Sequence, residues 1–261
     1  MSELIRYTAT EGVAVIEMND PPANTYTHEM MRQLDDAILK ARFDEGIHVI
    51  LLRGNGEKFF SAGANIKMLS EVNPTFKYFF CLHANETLNR LEQTPKLVIA
   101  ALNGHTVGGG LEIAMAADLR IARKGSGKIG LPEINLGVLP GTGGTQRLCR
   151  VVGKSRSIEM MVTGRTFSFE EALELGLVND IYETEGYWER ILEYARQFLP
   201  PNKASKAVGR IKRSVQSGIE ISFQEALSLE RELQQQLFQS SDAKEGLDAY
   251  VNKRRAIFKG Q

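Results

Sequence analysis

The sequence predicts an α/β fold in which strand-and-helix turns stack on one another, closed by a helical C-terminal segment. Three observations carry this. Short β-rich runs alternate with helical apolar spacing through the first half of the chain; one run, Lys96 to Leu102, is almost wholly apolar and must be buried on both faces; and β signal nearly vanishes after Leu199-Pro200-Pro201.

Taken in order, Ile5 to Thr8 and Val13 to Met18 flank Glu11-Gly12 and predict an opening β-hairpin, which Asp20-Pro21-Pro22 ends. Met30, Met31, Leu34, Ala37, Ile38 and Ala41 recur at helical spacing, and Val49 to Leu52 is a strand closed by Gly54. A polar and aromatic helical stretch follows around Phe76 to Leu91, and the strand at Lys96 to Leu102 stops at Asn103-Gly104. Leu111 to Ala117 predicts a short helix after a triple glycine, and Leu119 to Ala122 the next strand. Beyond residue 201, Ser222 with Glu225 forms a capping box ahead of Phe223, Ala226, Leu227, Leu233 and Leu237. Asp242 with Glu245 is read as opening another helix, with Leu247, Tyr250, Val251, Arg254 and Phe258 following. The chain therefore divides into a core over 1–200 and a helical region over 201–261.

A length of 261 residues with 43% apolar content supports a sizeable core. The 32 basic and 32 acidic side chains cancel, which removes the positive field a nucleic-acid binder carries. Cys81 and Cys149 lack the paired spacing of a zinc or redox motif, and His28, His48, His83 and His105 make no metal-ligand spacing, so no metal is expected. The N-terminus shows no secretory pattern and no apolar run approaches a membrane span, so a soluble, cytoplasmic protein is expected.

Several nucleotide motifs fail on context. Gly125-Ser126-Gly127-Lys128-Ile129-Gly130 fits a dinucleotide fingerprint, but the segment after it, Leu131 to Gly137, is a poor helix. Gly153-Lys154-Ser155 lacks the earlier glycine of a P-loop. Two other glycine-bearing loops each follow a strand: Phe59 to Lys67, and Asn103 to Glu112 with its triple glycine. Brought together, unpaired amides at such junctions make an oxyanion hole; taken singly, either loop is better explained by tight turns. Glu112 and Glu133 are acids set between apolar neighbours. By spacing alone Glu112 is better explained as an ordinary helix N-terminal carboxylate and Glu133 as a solvated loop acid.

The segments Phe60-Ser61-Ala62-Gly63-Ala64-Asn65-Ile66-Lys67, Ala101 to Glu112, Leu131-Pro132-Glu133-Ile134-Asn135-Leu136-Gly137 and Pro140 to Leu148 occur in order. Together they resemble the signature blocks of the crotonase superfamily, and the likeness runs over nearly the whole chain, including Thr163-Gly164-Arg165, Ala172 to Val178 and Tyr250 to Lys259. The resemblance implies a spiral of repeated ββα turns, a C-terminal helical trimerisation region, and a homotrimer or dimer of trimers. It implies an oxyanion hole at the amides of Ala64 and Gly109, a coenzyme A site along Ala64, Asn65, Ile66 and Lys67, and a further approach to the ligand by Tyr250 and Lys253. Coenzyme A then arrives as part of the acyl-CoA substrate, with no separate cofactor.

The scaffold hosts several reactions, so the acids decide between them. Glutamate at both 112 and 133 resembles the enoyl-CoA hydratases, which add water to 2-enoyl-CoA thioesters; the alternatives are an isomerase, an acyl-CoA hydrolase or a non-catalytic acyl-CoA binding protein. Asn65 departs from the aspartate many relatives carry there and is expected to tune the site modestly. Chain-length preference is expected from walls formed by Met68 to Phe80 and the C-terminal helices.

Overall fold

The computed structural model describes residues 2–261. Strands β1 (Ile5–Thr10) and β2 (Val13–Met18) form the predicted antiparallel hairpin. Its turn residues Glu11 and Gly12 both take positive φ, 49° and 82°, the geometry whose twist matches that of the flanking strands. Helix α1 (His28–Phe43) starts where the Thr27 hydroxyl accepts from the Met30 amide, and it buries the apolar stripe that its spacing predicts.

Three turns of similar build follow. The first is β3 (Val49–Gly54), β4 (Phe59–Ser61), α2 (Ile66–Glu71) and α3 (Pro74–Gln93). The second is β5 (Leu97–Leu102), β6 (His105–Val107) and α4 (Gly109–Met115). The third is β7 (Leu119–Arg123) and β8 (Ile129–Gly130), a single 3-10 turn at Glu133–Leu136, then α5 (Gly144–Val152) and α6 (Lys154–Thr163). Helix α7 (Phe169–Glu174), β9 (Asp180–Tyr182) and α8 (Tyr187–Arg196) complete the core.

The first strand of each turn joins a six-stranded sheet of order β1-β2-β3-β5-β7-β9, parallel outside the hairpin. The second strand of each turn joins a three-stranded parallel sheet, β4-β6-β8. This is a spiral of ββα turns, the α/β architecture that the resemblance implies. The long strands are buried on both faces, as their continuous apolar character requires. Ile50, Leu52, Val98, Ala100 and Leu102 face the core shared with α1, while Val49, Leu51, Ile99 and Ala101 face Tyr187, Ile191 and Ala195 of α8.

Asn103 explains why β5 stops where it does. Its buried amide donates to the carbonyls of Gly54 and Gly56 and accepts from the Gly54 amide at 3.0 Å, sewing the second turn onto the first. A Cβ on Gly104 would lie 2.3 Å from the Lys58 backbone, so the corner admits only glycine.

After residue 201 the chain is helical: α9 (Ser205–Gly218), α10 (Phe223–Phe238) and α11 (Ser241–Val251). The Ser222 and Glu225 capping box is present. The expected start of α11 is corrected. Ser240, not Asp242, caps the helix by accepting from the Ala243 amide at 3.1 Å. Asp242 turns inward, 3% exposed, and accepts from the amides of Lys259, Gly260 and Gln261, while Glu245 pairs with Arg254. Helix α11 ends at Val251, and Lys253 takes a left-handed φ of 53°, so Arg254 and Phe258 lie beyond it on a returning segment. Helix α9 is anchored to the core by Lys212, whose ammonium sits 2.9 Å from Asp118. No described helix is long and apolar enough to cross a membrane.

Candidate active site

The triple glycine is needed for two different reasons. Gly108 has φ 57° and ψ −135°, a backbone conformation that disfavours a side chain. Gly109 and Gly110 open α4 with ordinary φ but in crowded surroundings. A Cβ on Gly109 would fall 2.2 Å from the Tyr26 hydroxyl oxygen, and one on Gly110 would fall 2.2 Å from the Ser61 carbonyl oxygen. Bare backbone is therefore what lets the second spiral turn press against the first.

Glu112 follows in the first turn of α4, 2% exposed. Its Oε1 accepts two amide hydrogen bonds at 2.7 Å, from Thr142 and Gly144 at the entry to α5. Burial pushes this carboxyl's pKa up, and the amides of Gly144 and Thr142 oppose the shift. The carboxylate is thus oriented by backbone that side-chain substitution leaves in place.

Glu133 reaches the same space from the third spiral turn. It opens the 3-10 turn after Pro132, and its Oε1 lies 3.2 Å from where a Cβ on Gly108 would stand. Its Oε2 is buried without a hydrogen-bond partner. Burial, with the Glu112 charge adding to it, pushes the Glu133 pKa up to about 7.

Ala64 and Gly109 line the same cavity as the two acids. Ala64 pairs with Tyr26 in an isolated parallel bridge: the Tyr26 amide donates to the Gly63 carbonyl, and the Asn65 amide donates to the Tyr26 carbonyl. Alternation along the strand then turns the Ala64 amide away from Tyr26. The Gly109 amide, first in α4, has no partner within its helix. The loops touch, since a Cβ on Gly63 would sit 2.8 Å from the Gly109 nitrogen.

A cavity of about 300 Å³ gathers these groups. Glu112, Glu133, Ala64, Gly109 and Ile66 line it, with an apolar wall from Leu69, Leu136, Val138 and Leu139. Asn65 does not line the cavity; it caps α2, its Oδ1 accepting from the Met68 amide at 3.0 Å and its Nδ2 lying 3.4 Å from the Thr25 hydroxyl. Lys67 is exposed on α2 and does not line the cavity. Tyr250, 86% exposed on α11, and Lys253 beyond it are not brought to the cavity within one chain.

Two lining residues escaped the sequence reading. Tyr26 is buried, its hydroxyl 2.9 Å from that of Thr142 and its ring against Gly109, so it braces the amide and the Glu112-holding loop together. Nothing near Tyr26 in sequence signals this, because every partner is at least 37 residues away. Lys77 lines the cavity from α3, within the stretch expected to form its wall.

The family model described as Enoyl-CoA hydratase/isomerase matches residues 8–261. The chain is 36% identical over 244 residues to the short-chain-enoyl-CoA hydratase of Clostridium acetobutylicum, covering 93% of this chain and 92% of that one. It is 33% identical over 249 residues to the crotonyl-CoA hydratase of Syntrophomonas wolfei, covering 95% of each. A crystal structure titled as enoyl-CoA "hydrates" from Geobacillus kaustophilus HTA426 superposes with a TM-score of 0.97 at 45% identity, over 100% of this chain and 98% of that one. With fold and sequence both matched along nearly its full length, the chain belongs to the enoyl-CoA hydratase/isomerase family, on the crotonase fold.

Proposed function

We propose that the protein adds water across the double bond of 2-enoyl-CoA thioesters to give 3-hydroxyacyl-CoA. The observation that carries this reading is the lining of one cavity by Glu112 and Glu133 together with Ala64 and Gly109.

Water is a poor nucleophile, so a base must take a proton from it while Cα receives another. Glu112, held by two amide donors, is the better seat for the negative charge and acts as base. Glu133, raised to about 7 and lacking such donors on Oε2, supplies the proton. Hydroxide adds at Cβ, the π electron pair moves onto the thioester oxygen, and the amides of Ala64 and Gly109 stabilise that enolate. The pair collapses back as Cα takes the Glu133 proton, and transfer of the water-derived proton from Glu112 through solvent resets both acids.

Coenzyme A enters as part of the substrate. An isomerase only moves a proton between two carbons and needs one acid; two acids in unlike environments favour hydration. The same family reading gives a homotrimer or dimer of trimers, and apolar side chains exposed on α9 to α11, such as Val215, Phe223 and Leu247, suit such contacts. The test is crotonyl-CoA: loss of its conjugated-thioester absorbance with formation of the 3-hydroxy product is expected. An isomerised or hydrolysed product, or none, would overturn the reading.

A further inference from the structure

We propose that Lys77 selects acyl chains ending in a carboxylate, so that the preferred substrate is the coenzyme A monothioester of an unsaturated dicarboxylic acid. This rests on the hydratase reading and names its substrate class.

Lys77 is the one cation lining the cavity among the described residues. It is half-buried on α3, and its ammonium forms no ion pair and no hydrogen bond. Its ammonium lies 5.4 Å from the centre of the Phe80 ring, and that ring packs on Tyr26 with centroids 5.8 Å apart. One helical turn further on, Cys81 approaches Gly141, with Sγ 3.1 Å from where a Cβ would stand. This face of α3 is thus turned to the part of the cavity that Leu136 to Thr142 encloses.

A substrate whose thioester oxygen meets the amides of Ala64 and Gly109 places Cα and Cβ beside the glutamates. The rest of its acyl chain then runs along Leu69, Leu136, Val138 and Leu139. That wall suits methylenes, and a half-buried ammonium beside it, facing only the Phe80 ring, is a ready partner for an anionic chain end. The two glutamates do not partner the ammonium: Lys77 is the weakest of the influences acting on either one. Without the lysine, an anionic tail would meet no cation in the cavity and the negative charge of Glu112.

Glutaconyl-CoA and 2-pentenoyl-CoA test this, because they differ only by carboxylate against methyl at the chain end. The wild-type protein is expected to show the higher kcat/KM on glutaconyl-CoA. Lys77→Met, a good helix former at a half-buried site, should lower that value by roughly 10 to 100-fold, mainly through KM, and lower the pentenoyl value much less; Lys77→Arg should restore the preference. A wild-type preference for pentenoyl-CoA, or an equal loss on both thioesters in Lys77→Met, would overturn this inference and leave the hydratase reading standing. Hydration of neither thioester would overturn both.

Discussion

At Glu112 burial raises the carboxyl pKa while the amides of Gly144 and Thr142 pull it back; at Glu133 burial acts with only its own backbone amide and a distant Lys77 to resist it, and the result is a pKa of about 7. This difference fixes the pH dependence. If Glu133 must be protonated to serve as donor, kcat/KM falls as pH rises past about 7. Stability follows the same sign. The folded pKa stands above the ordinary 4.5, so the native state holds this proton more tightly than the unfolded chain does. The stabilisation is full below the ordinary value and is lost as pH rises through about 7. Glu133→Gln should therefore match wild type in thermal unfolding at about pH 4 and exceed it at about pH 9; equal melting at both would show no coupling. Both acids were legible in the sequence because each interrupts apolar neighbours. The amides that orient Glu112, thirty residues away, were not.

The element scale turns on contacts between successive spiral turns. Gly109→Ala drives a methyl into the Tyr26 phenol and shifts the first amide of α4 away from its place. A fall in kcat of roughly 10² to 10³ with retained circular dichroism is expected, the size of loss of one oxyanion donor. Activity near wild type would remove Gly109 from the mechanism. The long strands were legible from their continuous apolar runs, and α1 from apolar residues that repeat at 3.6. The small sheet was not, because β4, β6 and β8 are two or three residues long and carry no period. Nor was the start of α11, where Asp242 and Glu245 imitate a capping box while Asp242 binds the returning chain. A local pattern cannot report a partner seventeen residues on.

At the scale of the molecule, the spiral delivers three loops to one place: Gly63 to Asn65 from the first turn, Gly108 to Glu112 from the second, Pro132 to Glu133 from the third. The fold class was legible through the both-faced burial of β5, and the convergence of the loops through the family likeness. Lys77 stayed hidden because a lysine on an amphipathic helix reads as solvated. Sedimentation should give a mass three or six times the 29.0 kDa chain; a monomer would leave the apolar faces of α9 to α11 unexplained. The paired acids are tested most directly by kcat on crotonyl-CoA for Glu112→Gln and Glu133→Gln, with product affinity measured alongside. Each variant is predicted to lose roughly 10² to 10⁴ in kcat while binding 3-hydroxybutyryl-CoA about as well as wild type. Either variant turning over within about tenfold of wild type would contradict the two-acid mechanism.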